Sequence, residues 1–272
     1  MSGWTERVAA LPMYDLPELQ EANDTLWTAL RGRLSSAGVA TPERLDRTLS
    51  LDTLWTSPGL VLAQTCGYPL GKSLYDKVQL IGTPRYLAHG CEGPFHRSVV
   101  VVRARDKAES LFELRGRRCA VNALDSNTGM NLLRAEIAPL AKGAPFFGAV
   151  TVTGAHAESA RRVAEDEADL AAIDCVTWAH LRRHRPKLTG ALRVLAWTTR
   201  TPGLPLIAAP NLSRVVYNAI SRALDEVMAD PALREARRML LLDGVHSLPL
   251  THYRAATYLE ELAARQGYPA LI

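Results

Sequence analysis

The sequence predicts an α/β fold of two lobes, in which mostly parallel sheets are flanked by helices. Strand-like apolar runs alternate with segments of helical spacing from the start of the chain, and this alternation is typical of parallel strand pairing. The alternation restarts near residue 112, and no low-complexity linker separates the two series. We therefore expect two lobes joined by hinge strands, one formed by residues 1–101 and 199–272 and the other by residues 102–198.

The first series begins with a short apolar strand at residues 7–11. A helix follows, because an apolar stripe with helical spacing runs from Leu19 to Leu34. A second, shorter helical region is predicted over residues 41–55, and Pro58 ends it. Residues 59–64 then form a buried strand, which completes the first strand and helix alternation.

The remaining elements repeat this pattern. Two further strands are predicted at residues 77–82 and 97–103, and the second is nearly continuous in valine, so we expect both of its faces to be covered. The second series has strands at residues 118–122, 149–153, 169–174 and 192–197, which alternate with helices at residues 129–140, 157–167 and 176–184. The tail returns to a strand at residues 204–208 and continues as amphipathic helices at residues 215–227, 233–242 and 253–264.

The composition is that of a globular protein. Hydrophobic residues make up 47% of the 272 residues, and no apolar run approaches the roughly 18 residues that span a bilayer. The 32 basic and 28 acidic residues are interspersed, with no basic stripe, so nucleic-acid binding is not expected. No export signal is visible ahead of the first strand.

The four cysteines are too few for a disulfide scaffold, and none forms a Cys-x-x-Cys pair. Cys119 and Cys175 lie in apolar segments and are expected to be buried thiols. Cys66 and Cys91 lie in glycine-rich turns and form a candidate disulfide in an oxidising compartment. A metal site built from these two and nearby histidines lacks paired short spacings, so no metal site is predicted.

Polar residues that follow the strands form the candidate ligand site. In open parallel sheets the loops at the carboxyl ends of the strands line the ligand crevice. The candidates delivered there are Tyr14, Tyr68, Ser126, Asn127, Thr128, His156 and Asp174. Hydroxyl groups dominate this set, and hydroxyl groups are donors suited to a small polar ligand.

Several of these residues have two interpretations. Ser126, Asn127 and Thr128 stand at a predicted helix start, where they either cap the helix or cradle an oxyanion with the backbone N–H groups. His156 is either a surface histidine or a donor to the same oxyanion, and Asp174 either caps the next helix or faces the ligand. A triad of Ser126, His156 and Asp174 lacks a Gly-x-Ser-x-Gly elbow, and no Walker loop or dinucleotide fingerprint is present. No catalytic residue and no cofactor is therefore predicted.

The ordered motifs resemble the type II periplasmic-binding fold, specifically the phosphate, phosphite and phosphonate group of ABC-transporter substrate-binding proteins. The resemblance rests on Ser98-Val99-Val100-Val101-Val102, Asp125-Ser126-Asn127-Thr128-Gly129, Thr153-Gly154-Ala155-His156, Asp169-Leu170-Ala171-Ala172-Ile173-Asp174 and Thr201-Pro202-Gly203-Leu204-Pro205. It is most specific over residues 97–210 and looser toward both ends. Relatives tend to carry Ser-Thr-Ser-Gly where this chain has Ser-Asn-Thr-Gly, which leaves room for a different ligand.

The resemblance implies a solute-binding protein that captures phosphate, phosphonate or a similar oxyanion between two lobes for ABC-type uptake. The Ser-Asn-Thr cradle would grip the oxyanion, His156, Tyr14 and Tyr68 would donate from the opposite side, and Asp174 would face the rest of the ligand. The expected partner is an ABC transporter permease, and the protein is expected to be a monomer, periplasmic if it is exported and otherwise cytoplasmic. The alternative is a cytoplasmic enzyme on the same scaffold, similar to menaquinone-pathway lyases.

Overall fold

The computed structural model describes residues 6–272, which form two compact units. The first unit extends to Leu87 and resumes over Pro202–His252, and the second comprises Ala88–Thr201 and Tyr253–Ile272. These boundaries differ from the predicted ones. The valine-rich strand near residue 100 lies wholly in the second unit because both of its neighbouring strands belong there, and the last helix also belongs to that unit.

Strands and helices alternate along most of the described chain. The strands are β1 (Val8–Ala10), β2 (Leu60–Gln64), β3 (Gln79–Tyr86), β4 (Phe95–His96), β5 (Ser98–Arg103), β6 (Arg118–Val121), β7 (Ala149–Val152), β8 (Leu170–Asp174), β9 (Leu192–Trp197), β10 (Thr201–Pro202), β11 (Leu206–Ala208) and β12 (Leu242–His246). The α-helices are α1 (Gln20–Ser36), α2 (Leu51–Trp55), α3 (Gly67–Lys72), α4 (Leu132–Ala141), α5 (His156–Ala164), α6 (Cys175–His184), α7 (Pro186–Gly190), α8 (Arg214–Ala229), α9 (Arg234–Met239) and α10 (Arg254–Arg265). Within residues 6–272, no helix has both the length and the apolar composition that crossing a membrane requires.

The sheet of the first unit has the strand order β1-β2-β11-β3-β12. Strands β1 and β2 run parallel, whereas β11 is antiparallel to both β2 and β3, and β12 is antiparallel to β3. The predicted α/β class is therefore confirmed, but this sheet is mixed rather than mostly parallel. The reason is that β11 and β12 come from the returning chain and enter the sheet in the opposite direction.

The sheet of the second unit has the strand order β7-β6-β8-β5-β9. Strand β6 is parallel to β7 and β8, while β5 is antiparallel to β8 and β9. The three parallel strands end on the same edge of the sheet, so the segments that follow them are neighbours. This edge carries the helix start at Ser126, the helix start at His156 and the end of β8 at Asp174.

Two predicted helices are wrong in part. Residues 41–50 are not helical, because the Asp46 carboxylate accepts hydrogen bonds from the backbone N–H groups of Thr48 and Leu49 and so stabilises a turn. The helix predicted over residues 233–242 ends at Met239, since Leu241 adopts a left-handed φ of 56°. The chain then forms β12, whose hydrogen bonds to β3 replace those of a helix.

The core of the first unit lies between its sheet and helices α1, α8 and α9. The predicted stripe of α1 is buried, and it presents Leu26, Trp27, Leu30 and Leu34 to this core. Each such side chain contributes about 1.5–3 kcal/mol when it leaves water. Packing of this apolar face therefore contributes more to the stability of the helix than the intrinsic helix propensity of its residues.

The core of the second unit is centred on β5 and β8. Val99, Val100, Val101 and Val102 are each 0% exposed, which confirms that both faces of this strand are covered. Helix α5 packs on β8 and β5, and α4 packs against α10 from the end of the chain. The end of β8 and the helix starts beside it are therefore built on a rigid, fully buried framework.

Candidate anion-binding site

The start of the helix after β6 is buried and tightly hydrogen-bonded. Ser126 caps it, because its Oγ accepts a hydrogen bond from the Gly129 N–H at 3.0 Å. The first turn, Asn127–Asn131, is π-helical, since the Asn131 N–H donates to the Ser126 carbonyl at 3.0 Å. The first N–H groups of a helix have no acceptor within the helix and carry a partial positive charge, so this turn suits an anion.

Gly129 is required by space rather than by backbone conformation. A Cβ at this position would lie 1.7 Å from Asn122 Oδ1 and 3.0 Å from His156 Cε1. A larger residue therefore fits only if the Asn122 side chain moves away. The glycine therefore allows the loop after β6 and the start of α5 to close around the helix start.

Ser126, Asn127 and Thr128, the residues predicted to cradle an oxyanion, form a continuous buried segment and are 6%, 1% and 2% exposed. Asp125, which precedes them, is exposed in a turn, so its charge lies on the solvent side. The Asn127 side chain is engaged inside the protein: its Nδ2 donates to Thr201 Oγ1 at 2.9 Å, and its Oδ1 accepts from Asn131 Nδ2 at 3.0 Å. Both polar atoms of the Asn127 amide are therefore used within the second unit.

Thr128 and His156 are in direct contact. Thr128 Oγ1 lies 3.1 Å from His156 Nε2, and the Thr128 carbonyl accepts a 2.7 Å hydrogen bond from Ser98 Oγ. Burial lowers the pKa of His156 below its usual 6.5, and the nearby Asp174 carboxylate offsets this effect only in part. The imidazole is therefore neutral at pH 7 and interacts with the Thr128 hydroxyl as a hydrogen-bonding group.

Asp174 lies at the end of β8 and is 1% exposed. Its Oδ1 accepts from the backbone N–H groups of Val176 at 2.9 Å and Thr177 at 3.0 Å, so Asp174 caps α6. Its Oδ2 lies 3.1 Å from Nδ1 of His96, which is itself 3% exposed. Both oxygen atoms of the Asp174 carboxylate thus contact groups of the second unit.

The pKa values of this pair show an ion pair. Burial is the largest single influence and would raise the pKa of Asp174, but the attraction and hydrogen bond of His96, together with smaller contributions that include the Thr177 N–H, lower the pKa to about 2. Burial would lower the pKa of His96, but Asp174 raises it above 6.5. A negative aspartate and a positive histidine lie side by side, and together they add no net charge near the cradle.

Tyr14 and Tyr68 belong to the first unit. Tyr14 is 5% exposed and packs edge-on against Tyr86, with 5.0 Å between the ring centroids. Tyr68 lies in α3, and its hydroxyl oxygen accepts a hydrogen bond from Lys72 Nζ at 3.2 Å. The structure therefore groups the predicted residues as two tyrosines in one unit and five residues in the other.

Several polar residues near the predicted site residues were not predicted from the sequence. His96 and Ser98 support Asp174 and Thr128 from β4 and β5, and no local pattern marks them because their partners are distant in sequence. Thr65 directly follows β2 and is 0% exposed, and its Oγ1 has no hydrogen-bond partner among the described residues. Its position after a strand was a usable signal. Lys72 was detectable from its spacing of four residues from Tyr68 on one helix face.

The two cysteines of the candidate disulfide belong to different units. Cys66 lies in the first unit, whereas Cys91 lies in the second unit with its Sγ 3.6 Å from that of Cys175. All four cysteines are free thiols in the structure. Over residues 6–272, no cluster of three or more His, Cys, Asp or Glu residues has the geometry to hold a metal ion.

Several solved structures share this fold. PhnD1 from Prochlorococcus marinus in complex with methylphosphonate has a TM-score of 0.76 at 14% identity, with 95% of this chain and 98% of that chain covered. A binding-protein component of an ABC phosphonate transporter from Pseudomonas aeruginosa has a TM-score of 0.74 at 14% identity, with coverages of 96% and 88%. A Xanthomonas citri protein bound to chloride ion has a TM-score of 0.71 at 17% identity, with coverages of 96% and 98%. These likenesses confirm the predicted two-lobed periplasmic-binding-protein fold.

The sequence itself matches a family model. Residues 60–253, well over half of the chain, match the family described as "ABC transporter, phosphonate, periplasmic substrate-binding protein". No curated protein matches the sequence. This family consists of transporter substrate-binding proteins and not of enzymes, so the alternative of a lyase on the same scaffold is not supported. The chain therefore belongs to the periplasmic phosphonate substrate-binding family of ABC transporters.

Proposed function

We propose that this protein captures a small phosphonate, or an oxyanion of similar size and charge, and delivers it to an ABC transporter permease in the periplasm. The family supports the solute-binding role and the compartment. One observation carries the choice of ligand: the buried helix start Ser126–Thr128, with His156 hydrogen-bonded to Thr128. Such a helix start attracts negative charge and presents several N–H donors to one point.

The oxyanion is held mainly by neutral donors. The Ser126 oxygen accepts from Gly129, and its hydroxyl proton remains available to donate, since a hydroxyl group does both. The backbone N–H groups at the helix start add further donors, and His156 orients the Thr128 hydroxyl. Hydrogen bonds to a charged acceptor are about twice as strong as neutral ones, so these few donors suffice for a phosphonate group.

Tyr14 and Tyr68 are proposed as further hydrogen-bond donors to the ligand. Lys72 supports this role for Tyr68, because its ammonium donates to the Tyr68 hydroxyl and brings a positive charge beside it. Asp174 acts in the proposal as a positioning residue, since its carboxylate caps α6 and pairs with His96. It keeps the edge of the second sheet in shape rather than binding the anion.

Isothermal titration calorimetry tests the proposal. Protein is unfolded, dialysed and refolded to remove carried-over ligand, and is then titrated with methylphosphonate, phosphate, phosphite and sulfate. We expect heat from at least one phosphorus oxyanion. Ser126→Ala should weaken that binding about 10–100-fold, because a hydrogen bond to a charged group contributes about 1.5–3 kcal/mol.

Ser213→Ala is the matched control. Ser213 caps α8 of the first unit by accepting from the Val216 N–H at 3.3 Å, which is the same type of cap as that of Ser126. Both substitutions should lower stability by about 1 kcal/mol, but only the loss of Ser126 should lower anion affinity. Equal affinities for the two variants, or no heat with any anion of the panel, would exclude the proposed site.

A further inference from the structure

Two thiols of the second unit face each other. Cys91 Sγ and Cys175 Sγ are 3.6 Å apart, although the two residues are separated by 84 positions in the chain. Cys91 is half-buried in a turn ahead of β4, and Cys175 is the buried first residue of α6. A disulfide has an S–S distance of about 2.05 Å, so the two sulfur atoms need to approach by only about 1.5 Å.

The backbone around this pair keeps the two residues together. Gly90 has a φ of +99°, and a Cβ there would lie 3.0 Å from Cys175 Cβ and 2.5 Å from Trp197 Cζ3. The turn therefore rests directly on the start of α6, and only glycine allows this approach. His89 adds an edge-on contact with Trp197 at 4.9 Å between ring centroids.

We propose that Cys91 and Cys175 form a disulfide when the protein meets a disulfide oxidant, such as a dithiol oxidase or oxidised glutathione. The Cys91 thiolate attacks one sulfur of the oxidant, whose S–S bond breaks and releases one thiol. Cys175 then loses its proton and attacks Cys91 Sγ, which releases the second thiol. The protein gives up two electrons and two protons, and the oxidant is reduced to two thiols.

The solvent accessibility of the two thiols decides that Cys91 reacts first and Cys175 second. Cys91 is reachable from solvent, whereas Cys175 is only 1% exposed. The hydrogen bond to Cys91 raises the pKa of Cys175, and burial raises it further, so Cys175 is the poorer first nucleophile. Once Cys91 is in the mixed disulfide this hydrogen bond is lost, and Cys175 is in place to resolve it.

The disulfide would fasten the turn at residues 88–91 to the first residue of α6. That residue follows Asp174, whose carboxylate caps α6 and pairs with His96. Closing a long loop reduces the freedom of the unfolded chain, so the cross-link stabilises the second unit. The ion pair itself needs no rearrangement, because the sulfur atoms move only slightly.

The test compares reduced protein with protein incubated with oxidised glutathione. After unfolding and alkylation, we expect two free thiols, those of Cys66 and Cys119, and a cross-linked peptide pair that contains Cys91 and Cys175 in the mass spectrum. The melting temperature should rise by roughly 5–15 °C on oxidation and return with dithiothreitol.

Variants distinguish this pair from other cross-links. Cys91→Ala should remove both the cross-linked peptides and the redox-dependent shift in melting temperature, and Cys175→Ser should do the same. Cys66→Ala, the matched control, should retain both. Four free thiols after oxidation, or a cross-link between Cys66 and Cys91, would overturn the proposal. No ligand enters this experiment, so its outcome is independent of the anion-binding proposal.

Discussion

Replacing Asp174 with alanine tests how the edge of the second sheet is held together. The substitution removes the α6 cap, formed by hydrogen bonds of 2.9 and 3.0 Å from Val176 and Thr177, and the 3.1 Å contact with His96. Loss of a cap costs about 1 kcal/mol, and removal of one partner of a buried ion pair costs about 3–5 kcal/mol. Because one carboxylate makes both interactions, the effects overlap, and we expect a total loss of about 3–5 kcal/mol.

Asp174→Asn separates the two interactions. Asparagine caps helices as well as aspartate, so this variant keeps the cap and loses only the negative charge beside His96. We expect it to be destabilised about 1 kcal/mol less than the alanine variant. A double-mutant cycle with His96→Gln then measures the coupling between the two side chains directly.

Urea unfolding followed by circular dichroism measures these differences. Asp125→Ala is the control, because Asp125 is exposed at the same edge and its loss should change stability by no more than about 0.5 kcal/mol. If Asp174→Ala cost less than about 1 kcal/mol, the buried ion pair would not contribute as its geometry indicates. Equal losses of unfolding free energy for the alanine and asparagine variants would show that the α6 cap does not contribute to stability.

Three further outcomes follow from the same region. The raised pKa of His96 gives stability that is complete below 6.5 and is lost as the pH rises through the folded pKa. The lowered pKa of Asp174 gives stability that is present above 3.8 and is lost as the pH falls toward 2. The stability difference between wild type and His96→Gln should thus be largest between about pH 4 and 6.5, and a pH-independent difference would contradict the ion pair. Gly129→Ala should destabilise the protein by about 1–3 kcal/mol and weaken anion binding, because the Cβ of the alanine collides with Asn122. An anion affinity that is unchanged in calorimetry would contradict this expectation. Ser98→Ala should cost about 1–3 kcal/mol in urea unfolding, since a buried carbonyl of the cradle loses its donor, and a cost near zero would contradict this.

Much of the fold was predictable because its signals are local. The apolar run of β5, the stripe of α1 and the strand endings of β6 and β8 depend on neighbouring residues, and each lies within a few residues of its predicted position. The same holds for the helix start at Ser126, whose capping residues are adjacent in the sequence. Where a local side chain competed with the pattern, as Asp46 does, the prediction of a helix was wrong.

Strand direction and unit boundaries were not predictable from these patterns. An apolar strand has the same composition whether its neighbour runs parallel or antiparallel, so β11 and β12 gave no sign of reversing. The position of the last helix α10, beside α4, likewise depends on packing between distant parts of the chain.

The candidate site divides in the same way. The sequence by itself determined the helix start at Ser126–Thr128, His156 after its strand and Asp174 at the end of another, because capping and strand ends are short-range features. Only the tertiary structure decided that Asp174 pairs with His96 and that Cys91 faces Cys175. Those partners are brought together by sheet pairing over long separations, which leaves no periodic or local trace in the sequence.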